Sequence, residues 1–353
     1  MKRAFTYISL LLLILYAQYG YDVYQKSLSA AEIKGVLSEI TNEITSIPLQ
    51  PADGHKITNL HSIRQQGGYL YFLSNKTLYQ YTTKGTFVRR ITHPEYTPVA
   101  GYAINPAGQE LIVLSENQHI LYYSMHGELK EQREIHSSLD DVQITSFTLL
   151  NESIYLIEEG IDNSNPSEGA VIRQQIVCYD RNLEHKYEQA IINANIGRPR
   201  WMFTGLQTTL YADQDSGLMY AYRPGMNTNY LLQDTLFLRD NWQSLLVEAH
   251  KNKTIPAIPL QLGQRFWISS FADNRNEAGS YTFCYDKKRN CYWQAEGGFS
   301  DDYFQTGIIN HMEPIDNYGQ QYAFTKSGET LKGAFPQEAA SDTTVVFIFT
   351  LKA

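Results

Sequence analysis

Short apolar runs punctuate this chain at near-regular intervals. YLYFL begins at Tyr69, ELIVL at Glu110, SIYLI at Ser153, TLYAD at Thr209, RFWIS at Arg265 and QYAFT at Gln321. Their second residues, Leu70, Leu111, Ile154, Leu210, Phe266 and Tyr322, are separated by 41, 43, 56, 56 and 56 residues. Each run is strand-length and apolar on both faces, whereas a sheet with one wet face would alternate. A strand covered by a neighbouring sheet on each side has no reason to alternate, and sheets stacked radially provide that cover. The spacing suits four-stranded units with loop insertions.

A second feature keeps step with the first. A strand ending in Tyr follows each of five runs, at Tyr81, Tyr123, Tyr179, Tyr222 and Tyr285. Turn formers come next, with Gly85, Gly127 and Gly225 three or four residues on. Run, hairpin, Tyr, turn and further strand predict the outer part of one blade. The expected fold is all-β: a single six-bladed β-propeller with four-stranded antiparallel blades over residues 44–353 and the six marker residues in equivalent places. Helical periodicity is scarce. Ser29–Ile40 carries a capping box (Ser29, Glu32) and apolar Ile33, Val36, Leu37 and Ile40, which predicts a short N-terminal helix within a linker of residues 18–43. A second short helix is expected at Asn241–His250. The strand-like ends Thr45–Gln50 and Thr344–Leu351 would leave a sticky edge if unpaired, so they are expected to share the last blade.

Composition refines this picture in a few places. Tyr is abundant, at 26 residues, and aromatic residues make up 13% of the chain, which agrees with pleated, half-buried surfaces. The net charge of −8 leaves no basic footprint for nucleic acid. At the N-terminus Lys2 and Arg3 precede an apolar run from Ala4 to Ala17. Residues 1–17 thus read as a signal peptide, or as an uncleaved membrane tether because Leu15 is a poor −3 residue. Either way the protein is expected to be exported, periplasmic or envelope-associated, and no nearby Cys makes it a lipoprotein. Cys284 and Cys291 bracket a turn and are either small strand hydrophobes or a cross-hairpin disulfide. Cys178 occupies a repeat position.

The stretch ITSIPLQPADGHKITNLHSIRQQGGYLYFLSNKTLYQYTTKGTFVRRI, the triplet Pro94-Glu95-Tyr96, GFSDDYF before the last blade and the closing DTTVVFIFTLK together carry a resemblance. The chain resembles the NHL-like six-bladed β-propeller family of exported Bacteroidetes proteins, over nearly everything after residue 40. It departs from that family's pattern in having only Thr92-His93 before the triplet and in lacking a lipoprotein Cys. The family's function is generally uncharacterised, so the resemblance implies fold and compartment only. Its bacterial character makes the Asn-x-Ser/Thr sequons at Asn75, Asn151 and Asn252 chance matches.

No nucleotide, zinc or serine-hydrolase motif is present, and the nine His residues do not pair at ligand spacing. Asp213, Asp215 and Gly217 resemble a calcium-loop fragment without its distal Glu and read as a turn. No cofactor and no metal is implied. Position is more informative. From marker residue to Tyr the distance is 11 or 12 residues in blades one, two and four, but 25 in blade three and 19 in blade five. The two insertions, EEGIDNSNPSEG and FADNRNEAG, should rise on the face that also receives the interblade loops. Those loops would bring Arg198, Arg200, Trp201, Asp301, Asp302 and Tyr303 around the channel mouth, with His311 close by. These are the expected ligand-binding residues, and no catalytic residue is assigned. The expected function is non-catalytic recognition of a glycan, peptide or protein partner through that face. The alternative is a propeller lyase or hydrolase acting on an extracytoplasmic polymer, with His311, Asp301 and Asp302 as its nearest approach to a catalytic group.

Overall fold

The computed structural model describes residues 35–353 apart from 92, 94, 96–97, 164–170, 196–208, 214–217, 223–228, 234–235, 241–254, 262–264, 274–278, 287, 290 and 317–319. The first strand, β1 (Thr41–Pro48), waits for the end of the chain to find its sheet. Blade one is β2 (His61–Gln66), β3 (Tyr69–Ser74), β4 (Thr77–Thr82) and β5 (Phe87–Ile91). Blade two is β6 (Val99–Asn105), β7 (Glu110–Ser115), β8 (His119–Ser124) and β9 (Leu129–Glu134). Blade three is β10 (Asp140–Leu150), β11 (Ser153–Asp162), β12 (Val171–Tyr179) and β13 (His185–Asn195). Blade four is β14 (Thr209–Asp213), β15 (Leu218–Tyr222), β16 (Asn229–Gln233) and β17 (Leu236–Asp240). Blade five is β18 (Ile255–Gln261), β19 (Phe266–Asp273), β20 (Gly279–Asp286) and β21 (Cys291–Glu296). A small hairpin of β22 (Phe299–Asp301) and β23 (Gly307–Ile309) precedes blade six, built from β24 (Glu313–Pro314), β25 (Gln321–Lys326), β26 (Val345–Leu351) and the returning β1.

The repeat read from the sequence has a pairing basis. Leu70 on β3 faces Tyr81 on β4, Leu111 faces Tyr123, and Ile154 faces Tyr179. All six are buried. In blade five the register slips by one, setting Trp267 opposite Tyr285. Blade four corrects the expectation of equivalent places. Leu210 stands on an end strand of its sheet, where the other five markers stand on the strand next to an end. The hairpin is as expected, with Thr209 opposite Tyr222, but Leu236–Asp240 also pairs with Asn229–Gln233 and fills the fourth place.

Ring closure follows the expected seam. β1 runs antiparallel to β26, with Ile47 opposite Val346 and Pro48 opposite Val345. Beyond it the Leu49 N–H donates to the Thr344 carbonyl at 2.9 Å and the Gln50 N–H to the Gly85 carbonyl at 2.8 Å. Gly85 is required there. Its φ is +83°, and a Cβ would lie 1.9 Å from the Pro48 oxygen. The pairing covers β26, whose run of Val, Phe and Ile would otherwise present an open edge.

The cores lie between blades. Tyr71, Leu73 and Leu78 of blade one pack with Tyr102, Leu111 and Leu121 of blade two. Ile112, Leu114 and Tyr122 pack with Ile154, Leu156 and Val177 of blade three, and Ile63, Leu70 and Phe72 with Ala323 and Val346 of blade six. Blades one and two therefore bury both faces, which is why their central strands do not alternate. The expected helix over Ser29–Ile40 does not run through its described part. Val36 is extended (φ −103°, ψ 147°) and bridges Ser300, and only Leu37–Glu39 forms a 3-10 turn. The tertiary contacts of Leu37 and Ile40, buried in the last blade's core, override the local helical signal. The helix expected at 241–250 lies outside the described residues. Cys284 is a buried thiol with no disulfide, since the register sets it opposite Trp293 while Cys291 faces Asp286.

Candidate functional site

Strand direction alternates within each blade, so second-to-third connections and blade-to-blade connections leave on the same face. The second-to-third connection after β19 is only residues 274–278, between lengthened strands, but two others are long: after β11 and, unforeseen from the sequence, after β25. The last spans residues 327–344 and holds a 3-10 turn (Gly328–Leu331) and a short helix, α1 (Pro336–Ala340). The insertions in blades three and five are partly strand. Glu158–Asp162 extends β11 and Phe271–Asp273 extends β19. Glu158 tolerates burial because its carboxylate accepts hydrogen bonds from Ser137 Oγ at 2.6 Å, Tyr179 OH at 3.0 Å and Gln175 Nε2 at 3.3 Å. Ser137 belongs to the loop between blades two and three, so this carboxylate ties that loop to the long hairpin.

Arg198, Arg200 and Trp201 lie outside the described residues. Asp301, Asp302 and Tyr303 do come together, at the tip of the β22–β23 hairpin, but their polar atoms serve the chain itself. Asp301 is 2% exposed. One of its oxygens accepts the N–H groups of Tyr303 and Phe304, both at 3.1 Å. The other accepts the Thr306 N–H at 3.2 Å and its hydroxyl at 2.5 Å. Asp302 accepts the Ser38 N–H at 3.0 Å, and the Tyr303 hydroxyl donates to the Thr41 carbonyl at 3.0 Å. The Ser300 N–H donates to the Gly35 carbonyl at 2.6 Å. Phe304 stacks at an angle on Phe347, with ring centroids 5.4 Å apart. The hairpin is thus a latch that grips the segment leading into β1 and lies on the last blade.

A different set of polar groups gathers where the inner strands begin, which topology places at the loop-face mouth of the channel. β2 carries a bulge between His61 and Arg64, with Ser62 at φ +54°. The bulge takes the N–H groups of Ser62 and Ile63 out of the ladder, and Glu313 at the start of β24 accepts them at 2.7 and 3.1 Å. Arg64 lays Nη1 between the carbonyls of Ile63 (2.8 Å) and Pro314 (2.6 Å). The Tyr102 hydroxyl, from β6 of blade two, lies 2.5 Å from the Ser62 carbonyl and 2.7 Å from that of Tyr71. Three blades therefore meet through one bulge. Burial pushes the Glu313 carboxyl above the usual range, against the pull of Arg64, the two amides and His311. Burial likewise raises Tyr102 well above the ordinary phenol value. His311 and His61 are exposed beside this wall.

The sequence offered His311 but not Arg64, Glu313 or Tyr102, which belong to no motif. Among the described residues no group of three or more His, Cys, Asp or Glu is arranged to hold a metal ion. Also among them, no helix is long and apolar enough to cross a membrane.

The DUF5128 family model, a 6-bladed beta-propeller, matches residues 24–308. One solved structure with the same architecture is a "Putative exported protein" from Bacteroides fragilis NCTC 9343, 14% identical, with a TM-score of 0.61 over 88% of this chain and 95% of that one. A DUF4221 family member from Bacteroides vulgatus is 11% identical, with a TM-score of 0.48 over 88% of this chain and 97% of that one. At 14% identity the likeness to the Bacteroides fragilis structure concerns fold alone. No curated protein matches the chain.

Proposed function

Because the chain belongs to the DUF5128 family of six-bladed β-propellers, we propose that it is an exported protein that recognises a glycan, peptide or protein partner through its loop face, without catalysing a reaction. The observation that carries the reading is topological. The long second-to-third connections after β11 and β25 leave the same face as the interblade loops, around inner strands fixed by the ring. Long loops on a rigid scaffold are where recognition concentrates, and a pre-ordered scaffold lowers the ordering cost of binding. His311 at the mouth, together with Arg198, Arg200 and Trp201 of the loop between blades three and four, forms the proposed contact set. Asp301, Asp302 and Tyr303 contribute by holding the latch, and the partly exposed Tyr303 ring can touch a partner as well.

Export is proposed from Lys2 and Arg3 followed by the apolar run to Ala17, and from the description of the Bacteroides fragilis neighbour as an exported protein. N-terminal sequencing of the mature protein separates cleavage near Ala17 from a retained tether. Recognition is tested by screening the full chain against glycan and peptide arrays, with thermal shift as a second readout. A hit whose binding is lost on replacing α1 and its flanking loop supports the reading. Hits insensitive to every loop-face substitution contradict it.

A further inference from the structure

We propose that Arg64 is the anchor of a carboxylate-binding subsite in the wall of the channel mouth. The inference rests on the loop-face reading and names the chemistry that this part of the face would take.

Arg64 is a half-buried cation in a fixed position. Nη1 is held by the carbonyls of Ile63 and Pro314, one on its own blade and one on blade six. The N–H groups on Nε and Nη2 bond to no protein atom among the described residues, yet they are not sealed from solvent. No carboxylate among the described residues forms an ion pair with the guanidinium. Glu313 lies close enough for its charge to be felt, but its two oxygens accept the bulge amides and neither bonds to the guanidinium. A half-buried guanidinium whose donors are only partly bonded favours an acceptor that completes them. The Nε–Nη2 edge is the fork that accepts a planar carboxylate through two parallel hydrogen bonds. Pinning Nη1 removes much of the side chain's freedom before any ligand arrives, so the edge is pre-organised. His61, three residues before Arg64, and His311, two before Glu313, are both exposed. A lysine could not serve equally, since an ammonium has no fork.

One carboxylate chemistry has two sources, a uronic acid residue of a glycan and the C-terminus of a peptide. The experiment titrates the full chain, by calorimetry or ligand-observed NMR, with glucuronic acid and with N-acetyl-glycyl-glycine. Glucose and the amidated dipeptide serve as neutral controls. Binding of one carboxylate probe and not its neutral counterpart is expected, and the arm that binds identifies the source. Arg64→Ala should weaken it by about tenfold or more, and Arg64→Lys should restore only part, because charge without the fork is the lesser half of the contact. Unchanged melting of Arg64→Lys guards against a folding artefact. Binding unaffected in both variants, or equal binding of the neutral controls, overturns the subsite, as does failure of both carboxylate probes. If the subsite fails while array ligands still bind through the loop face, the functional reading stands alone. If nothing binds that face, both fail.

Discussion

The latch hairpin and the channel mouth have similar residue types and opposite fates. Asp301, Asp302 and Tyr303 occupy a connection between blades, as a recognition loop would. Yet Asp301 accepts four hydrogen bonds from its own turn, while Asp302 reaches Ser38 before β1 and Tyr303 reaches Thr41 at its start. At the mouth, Glu313 is likewise consumed by backbone, but Arg64 keeps a free edge and His61 and His311 face solvent. The contrast teaches that a polar interblade loop is no binding site until its hydrogen bonds have been followed to their partners. Groups already satisfied within the chain stabilise it, and groups held in place with capacity left over are free to recognise something else.

That contrast breaks most severely if the latch is emptied. Removing residues 1–48 deletes β1 and exposes the β26 edge, and the protein should aggregate rather than unfold cooperatively, as read by solubility and size exclusion. Asp301→Ala is next. It strips a buried turn of its acceptor and should cost about 2–4 kcal/mol in denaturant unfolding, against less than about 1 kcal/mol for the exposed Asp302→Ala. Equal costs would show that the turn is not what holds the latch.

A third test concerns pH. Burial alone would raise Asp286, but the Arg265 fork (3.0 and 2.8 Å) and the N–H groups of Lys288 and Arg289 outweigh it and hold the carboxyl below its usual value. A depressed carboxyl contributes stability that is present above the unfolded value of about 4 and is lost as pH falls through the lower folded value. The stability gap between the wild-type chain and Asp286→Asn should therefore shrink as pH drops below about 4, and a gap that widens would contradict the pairing. The smallest effect on folding belongs to the mouth. Arg64→Ala should change unfolding by no more than about 1 kcal/mol, since its carbonyl partners stay within reach of water.

How much of this was legible in the sequence depended on range. The six markers and the five Tyr that follow them are local signals, and Leu70 with Tyr81 or Ile154 with Tyr179 meet across one hairpin, so the blades could be read directly. The closing strands were legible because a run such as VVFIF cannot be left as an edge. Blade four was misjudged in detail because Leu236–Asp240 looks no different in sequence from a connection between blades. The site was harder. Glu313 reaches Ser62 across 251 positions and Asp302 reaches Ser38 across 264, contacts that only ring closure creates. Nothing near Arg64 or Asp302 in sequence distinguishes a side chain with capacity left over from one already committed.

The central claim is that recognition occurs at the loop-face mouth and not at the latch. Hydrogen–deuterium exchange of the full chain, with and without its tightest array ligand, addresses it most directly. The account predicts new protection in peptides covering residues 59–66, 137–143 and 309–316, with the tip at 301–306 unchanged. Protection confined to 299–306 or to the outer strands β5 and β9 would contradict it.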